Sequence, residues 1–330
     1  MRLRFQYLLL FILIAGKNFS QVYNFKNYSL DEGLSQSQVY SITQDKDGFL
    51  WIATQGGGLN RFDGKTFKIY KKENGLNDNT VFSLLSDSKG YLWIGTATGL
   101  NRFYNGKFEK FNGYEGIRDD DILELMEGSD GRIWIGTKQS GVIVYNGNDF
   151  EKYSINDGLG FSNVNALFED RGNKVWIGSL EYGIAAYENG KVSNVTEKTG
   201  LPSKTIYEIT EDHGGNLLVF TDAGEFFLSD GIFRPYTTQL PSLSITQVIK
   251  DKEKNFWVAT SGKGLWRISA TEKITWFNED NGLPTNYLLA LFQDNGGNLW
   301  IGTDGSGISR FGGESFVHFN KYSGLPGNMV

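Results

Sequence analysis

Residues 91–96 read "YLWIGT", and variants of this phrase return along the whole chain. The other copies are "FLWIAT" (49–54), "RIWIGT" (132–137), "KVWIGS" (174–179), "NFWVAT" (255–260), "NLWIGT" (298–303) and a degenerate "NLLVFT" (216–221). Neighbouring copies lie 39 to 43 residues apart. Self-similarity at such a period is typical of solenoids and β-propellers, so the repeat is settled before any other feature.

Each repeat contains four short apolar stretches. In residues 33–75 they are "VYSIT" (39–43), "FLWIAT" (49–54), "GLNRF" (58–62) and "TFKIY" (66–70), all of strand length and rich in β-branched and aromatic residues. Turn sequences such as "DKDG" and "DG" separate them. We therefore predict an all-β fold, a seven-bladed β-propeller of four-stranded antiparallel blades.

The repeated phrase alternates two apolar faces. Trp and Gly point to one face, and Leu, Ile and Thr point to the other, as expected of a sheet covered on both sides by neighbouring blades. The repeated tryptophans are then predicted to be buried packing residues and not ligand platforms. They are Trp51, Trp93, Trp134, Trp176, Trp257 and Trp300. Trp266 lies outside the repeated position and remains a candidate for ligand contact.

Counting the outermost strands predicts how the ring closes. "NFKNY" at 24–28 resembles a fourth strand that precedes the first complete unit, and seven units follow it. We expect it to complete the last blade as the outermost strand beside 288–311. "SFVHF" at 315–319 is then surplus, and "GLPGNMV" at 324–330 begins a further unit. The propeller is assigned to 21–323, and the natural polypeptide is expected to continue beyond Val330.

The N-terminus and the charge limit the possible functions. Arg2 and Arg4 precede the apolar run "YLLLFILI", so residues 1–20 are predicted to be a signal peptide. Without them the net charge falls from −6 to −9. No basic run is available to neutralise phosphates, so nucleic acid is not an expected partner. There is no cysteine for a disulfide.

The phrases "DGFLWIATQGGGLNRFDGKTF" and "KGYLWIGTATGLNRFYNGKF" resemble the two-component regulator propeller repeat, and the resemblance covers roughly 22–330. In that family, two such propellers usually precede an immunoglobulin-like domain, a membrane helix and a histidine kinase. The resemblance implies a non-catalytic periplasmic sensor, or the cell-surface sensor region of an inner-membrane protein. It also implies an oligosaccharide signal and, as partners, a second propeller and signalling domains of the same polypeptide. A homodimer partner is a further expectation.

Two alternatives remain open. One is a secreted propeller lyase of the streptogramin-lyase type, and the other is a protein-interaction propeller. Two blades also depart from the pattern: the fifth has Leu218 and "GEFFL" (224–228), and the sixth opens with "QLPSLSI" (239–245). Their register is the least secure, and the ring is a candidate for specialisation there.

The sequence offers little for catalysis. Its two histidines, His213 and His318, fall in different blades, and there is no cysteine. We predict no catalytic, cofactor or metal residues. The acidic turns at 45–48 and 129–131 lack the ligand spacing of a calcium loop and are interpreted as hairpin turns.

The loops before the first strand of each blade carry the variable polar and aromatic residues. In an antiparallel blade these loops emerge on the same face as the turns between the second and third strands, around the mouth of the central channel. The predicted ligand residues there are Gln36, Asp78, Asp119, Asp121, Phe161, Asn163, Lys204 and Tyr287. The competing interpretation is that the adjacent Ser37, Asn79, Asp120, Ser162 and Asn286 only cap the turn into the strand.

Overall fold

The computed structural model describes residues 23–236, 240–241 and 243–313. The predicted signal peptide at 1–20, the surplus strand at 315–319 with His318, and the further unit at 324–330 lie outside these residues.

The described chain forms 28 strands. Strand β1 is Phe25–Tyr28, and blade 1 contains β2 Val39–Gln44, β3 Leu50–Thr54, β4 Gly58–Phe62 and β5 Phe67–Tyr70. Blade 2 contains β6 Val81–Ser86, β7 Leu92–Thr96, β8 Gly99–Tyr104 and β9 Lys107–Lys110. Blade 3 contains β10 Ile122–Glu127, β11 Ile133–Thr137, β12 Val142–Tyr145 and β13 Phe150–Tyr153. Blade 4 contains β14 Ala166–Glu169, β15 Val175–Ser179, β16 Gly183–Glu188 and β17 Lys191–Asn194.

The second half of the ring repeats the same order. Blade 5 contains β18 Ile206–Glu211, β19 Leu217–Thr221, β20 Gly224–Ser229 and β21 Ile232–Pro235. Blade 6 contains β22 Ile245–Lys250, β23 Phe256–Thr260, β24 Leu265–Ile268 and β25 Ile274–Phe277. Blade 7 contains β26 Leu288–Gln293, β27 Leu299–Thr303 and β28 Ile308–Phe311. Three short 3-10 helices, Lys72–Asn74, Ile155–Asp157 and Glu279–Asn281, precede the loops into blades 2, 4 and 7.

The ring closes with the N-terminal strand. Strand β1 pairs antiparallel with β28, with Phe25 opposite Phe311 and Tyr28 opposite Ile308, and becomes the fourth strand of blade 7. The inner strand β26 contacts β2 of blade 1, so the first and last blades are neighbours. The predicted closure is therefore confirmed, and the fold is the predicted seven-bladed propeller. Blades 5 and 6 also form complete four-stranded sheets despite their irregular sequences.

The core lies between the blades. All six repeated tryptophans are at most 5% exposed, as predicted. Five of their indole N–H groups also donate to an aspartate in the turn between the first and second strands, at 2.7–2.8 Å: Trp51 to Asp45, Trp93 to Asp87, Trp176 to Asp170, Trp257 to Asp251 and Trp300 to Asp294. The acidic turns thus tie the turn to the core. In the turn at 45–48, Asp45 Oδ1 also accepts from the backbone N–H groups of Asp47 and Phe49.

Candidate functional site

Backbone hydrogen bonds join neighbouring blades on one face of the ring, which we name the mouth face. The glycine at the start of a third strand donates its N–H to the loop that leads into the next blade. Examples are Gly58 to the carbonyl of Asn79 at 2.7 Å and Gly183 to that of Lys204 at 2.8 Å. A Cβ on Gly58, whose φ is +87°, would lie 2.2 Å from the carbonyl oxygen of Tyr70. This close approach explains why a glycine recurs there.

The eight predicted ligand residues precede inner strands on this face, but they do not line one cavity. Three of them are carboxylates that lie close to local cations. Asp78 Oδ2 is 3.6 Å from Lys72 Nζ, Asp119 Oδ2 is 3.2 Å from Arg118 Nε, and Asp121 Oδ2 is 2.8 Å from Lys138 Nζ. Each pair is partly or largely exposed, so it contributes little to stability but reduces the local negative charge.

The structure corrects the prediction for Phe161. Its side chain is 1% exposed and packs in the core between blades 3 and 4 with Trp134 and Val164. Burial of a phenyl ring in this gap is more favourable than exposure at the mouth, so the ring offers no face to a ligand. Two amides are also occupied or enclosed. Gln36 Oε1 accepts from the N–H of Ser37 at 2.7 Å, and Asn163 Oδ1 is buried without a hydrogen-bond partner.

Lys204 and Tyr287 are exposed on the mouth face but lie in different sectors. Lys204 lines a surface pocket of about 410 Å³ beside blade 4, together with Tyr182 and Lys198. Tyr287 is 53% exposed, and its ring lies against Gly262 in the turn between the second and third strands of blade 6. Asn79 and Asn286 accept hydrogen bonds from the backbone N–H groups of Lys72 and Glu279, which supports the capping interpretation for these two residues.

The largest concave site is the central cavity, with a volume of about 580 Å³. Residues from the inner strands of all seven blades form its wall. In six of these strands the pairing shifts by one residue near the start, for example between Ile122 and Glu124 in β10 and between Ile206 and Glu208 in β18. Such bulges redirect side chains, and here they place the second and third residues of the strand at the cavity wall.

Two carboxyl groups occupy this wall, Glu124 from blade 3 and Glu208 from blade 5. Burial raises the pKa of Glu124 to about 8, and the nearby charge of Glu208 raises it further. Burial also raises the pKa of Glu208 to about 7, although backbone N–H groups of Ile209 and Val248 favour its carboxylate. Both carboxyls therefore change protonation near neutral pH, which is a common property of functional sites.

Other polar residues of the wall hold the blades together. Asn165 Nδ2 donates to the carbonyl of Ile206 at 3.0 Å, and Gln247 Oε1 accepts from the N–H of Leu291 at 2.6 Å. Asn165 Oδ1 and Thr246 Oγ1, in contrast, are buried atoms without a hydrogen-bond partner. Buried polar atoms normally have partners, so this wall has unused hydrogen-bonding capacity.

Sequence reasoning missed Glu124 and Glu208 because it searched the loops and not the strands. A signal was nevertheless present at the third position of the inner strand. It holds a small residue in four blades, Ser41, Ser83, Ala166 and Ala290, and a long polar residue in the other three, Glu124, Glu208 and Gln247. A glutamate in a strand that is covered on both sides is unusual unless it faces a cavity.

Other candidate groups lie away from the cavity. His213 lies in the turn between β18 and β19; burial lowers its pKa, and Lys250 lowers it further, so the imidazole is neutral at pH 7. Trp266 stacks on Trp276 with ring centroids 5.3 Å apart, and both indole N–H groups donate to the carbonyl of Lys263. Trp276 is 46% exposed, so this pair forms an aromatic surface on the rim of blade 6.

Within residues 23–236, 240–241 and 243–313, no group of three or more His, Cys, Asp or Glu side chains is placed to hold a metal ion. No helix among the described residues has the length and apolar character needed to cross a bilayer.

The ring of seven four-stranded sheets places this protein in the class of seven-bladed β-propellers. Four of its segments, residues 33–56, 75–98, 116–139 and 282–305, match the two-component regulator propeller family. The chain therefore carries repeats of that family, and the resemblance inferred from its sequence is confirmed.

Known proteins of similar sequence and structure agree with this assignment. A histidine kinase of Formosa agariphila is 46% identical over 56 residues, which is 17% of this chain and 4% of that protein. The extracellular domain of a hybrid two-component system of B. thetaiotaomicron is 25% identical with a TM-score of 0.76, over 87% of this chain and 41% of that domain. This chain thus spans less than half of the length of these proteins.

A second group of similar structures shares the fold alone. Virginiamycin B lyase from Staphylococcus aureus is 14% identical with a TM-score of 0.68, over 87% of this chain and 97% of the lyase.

Proposed function

We propose that this chain is the ligand-binding propeller of an exported, periplasmic two-component sensor, and that its signal, an oligosaccharide, binds in and above the central cavity. The observation that carries the proposal is the cavity of about 580 Å³, with Glu124 and Glu208 at its wall. A concave site with a few convergent polar groups and shifted pKa values has the usual features of a ligand site. The extracellular sensor domain of similar fold supports the sensory role.

The signalling output belongs to other domains in this proposal. A histidine kinase downstream in the same polypeptide, a second propeller and a homodimer partner would convert binding into a signal. The match to a histidine kinase supports the link to such domains, although it covers a small part of that protein.

The lyase alternative has weaker support. One structure of virginiamycin B lyase carries a histidine-to-alanine substitution and is described as catalytically inactive. The histidine of the described part of this chain, His213, lies in a turn between the first and second strands and not at the cavity wall. We therefore propose a non-catalytic role for this propeller.

Titration calorimetry of the purified chain against plant and host oligosaccharides tests the proposal. We expect one glycan to bind, and the double variant E124Q/E208Q to weaken its binding at least about tenfold, because a hydrogen bond to a charged group contributes roughly 1.5–3 kcal/mol. The exposed E73Q is the matched control and should bind as the wild type does. If D119A/Y287A abolishes binding while E124Q/E208Q does not, the site is the mouth and not the cavity. If no glycan binds, the oligosaccharide signal is wrong.

A further inference from the structure

The wall of the central cavity is rich in hydrogen-bond acceptors. Besides the carboxyls of Glu124 and Glu208, it presents the Oδ1 atom of Asn165, which is a carbonyl oxygen because the amide nitrogen is bonded to Ile206. Thr246 Oγ1 is a further buried oxygen without a partner. Two independent observations, a pair of acidic groups and two unpartnered buried oxygens, therefore point to a ligand that donates hydrogen bonds.

The same wall carries no positive charge. Among the described residues that line the cavity there is no Lys, Arg or His. When either glutamate ionises, its charge has no cationic side chain at the wall to neutralise it. Mutual repulsion between the two carboxylates makes this state more costly still, and a cation supplied by a ligand would remove the cost.

Aromatic rings complete the wall. Tyr40 and Phe82, from neighbouring blades, lie with ring centroids 5.3 Å apart, and Tyr207 directly precedes Glu208. The faces of such rings attract ammonium groups, most strongly where water is excluded. Leu123 and Leu289 add apolar surface that suits the carbon skeleton of an organic ligand better than a hydrated metal ion.

We propose that the central cavity binds the ammonium group of an organic amine, with Glu124 and Glu208 as its counter-ions and Asn165 Oδ1 and Thr246 Oγ1 as further acceptors. This inference rests on the proposed function, since it names the chemistry of the ligand at that site. The ammonium group can belong to a simple amine or to an amino sugar, because both present the same donors.

Matched probes that differ in charge test the inference. The full chain is titrated calorimetrically with 1,5-diaminopentane, which stays cationic from pH 6 to pH 8.5, and with the neutral 1,5-pentanediol. We expect the diamine to bind and the diol not to bind. Its affinity should rise at least about tenfold between pH 6 and pH 8.5, because both glutamates lose protons in this range. The other titratable groups of the wall, Tyr40 and Tyr207, have raised pKa values and stay neutral there.

Variants locate the binding. E124Q and E208Q should each weaken diamine binding about tenfold at pH 8.5, since each loses a charge-assisted hydrogen bond. The double variant should lose the pH dependence, and the exposed E73Q should behave as wild type. Thermal unfolding of each variant checks that the ring is intact.

The outcomes separate this inference from the proposed function. Diamine binding that is unchanged in E124Q/E208Q, or no binding up to 10 mM, overturns the ammonium site. Equal binding of diamine and diol, sensitive to both glutamates, keeps the cavity as the ligand site but overturns the ammonium. Calcium binding that depends on both glutamates, without diamine binding, also overturns it. Titration with the disaccharide of glucosamine and its N-acetylated form then tells an amino sugar from a simple amine, because only the free amino sugar should compete with the diamine.

Discussion

Blades 2 and 5 form the same four-stranded sheet from different residues at three positions. Blade 2 has Trp93 and Gly95 in its second strand and Arg102 in its third, whereas blade 5 has Leu218, Phe220 and Phe227. In both blades the third-strand residue lies opposite the first of these residues, Arg102 opposite Trp93 and Phe227 opposite Leu218. The three changes are therefore neighbours in space.

In blade 2 the large and the small residue are complementary. Trp93 is 1% exposed, and the guanidinium of Arg102 lies 5.2 Å from its ring centroid. A Cβ on Gly95 would lie 2.7 Å from the carbonyl oxygen of Ile122, the first residue of the next inner strand. The glycine thus allows blade 3 to approach closely, and the tryptophan fills the remaining space.

Blade 5 reaches the same density by exchanging volume between the two positions. Leu218 and Phe220, two residues apart and so on one face, are both 0% exposed and belong to the core shared with blade 6. Phe220 lies 6.3 Å from Phe256 across that core. The departures are one compensated exchange, which cores tolerate when total volume is kept. The register therefore survives where the sequence pattern fails.

The largest expected effect tests this exchange. Phe220→Ala should reduce the free energy of unfolding by about 3–5 kcal/mol, because it removes the ring that takes the place of the tryptophan. Urea denaturation followed by circular dichroism measures the loss. A loss below about 1 kcal/mol would show that the gap collapses or was never filled. Ile232→Ala, at a 45% exposed position of the same blade, is the matched control.

The acidic turns should separate the two blades by a smaller amount. In blade 2, Asp87 accepts the indole N–H of buried Trp93 at 2.8 Å, whereas in blade 5 Asp212 accepts from the exposed amide of Asn216 at 2.9 Å. Asp87→Ala should cost about 2 kcal/mol because it leaves a buried donor without a partner, and Asp212→Ala about half as much because Asn216 can turn to water. Equal losses in urea denaturation contradict the distinction.

The inner strands differ in their response to pH. Blade 2 has Ser83 where blade 5 has Glu208 and blade 3 has Glu124. In the folded state their pKa values are raised, to about 7 and about 8, above the ordinary value of 4.5. The unfolded chain therefore loses these protons first, and folded stability falls as pH rises from 4.5 through 8.

Glu124→Gln and Glu208→Gln should remove this pH dependence. Each variant should be more stable than the wild type at pH 9, by about 1 kcal/mol, and close to it at pH 4.5. Thermal unfolding at the two pH values measures the difference. Wild-type stability that stays constant or rises between pH 5 and pH 8, relative to the double variant, is the contrary result.

The smallest effect concerns the outer strands. In blade 2 the guanidinium of Arg102 lies 2.6 Å from the carboxylate of Glu109, whereas blade 5 has Phe227 in place of the arginine. Because Glu109 is largely exposed, Glu109→Gln should change the free energy of unfolding by less than about 0.5 kcal/mol. A larger change in urea denaturation at low salt would assign the stacked arginine a structural role that blade 5 lacks.

Predictions from sequence succeeded where one element was repeated. The period of the tryptophan phrase predicted seven blades, and the unpaired "NFKNY" predicted that β1 completes blade 7. These features depend on local patterns that recur in register, so errors in a single blade do not accumulate. Phe161 shows the limit, since its position in a variable loop suggested exposure and the structure buries it.

The sequence by itself determined the class of fold, the number of blades and the strand that closes the ring, because strand alternation, turn residues and the repeat are local properties of the chain. Only the tertiary structure decided which residues meet at the centre. Glu124 and Glu208 are 84 residues apart in the chain, and they approach each other because bulged inner strands of separate blades converge on one cavity. No local pattern encodes the curvature of the ring. The loss of solvent and the mutual repulsion that raise the pKa values of these carboxyls therefore arise only when the ring closes.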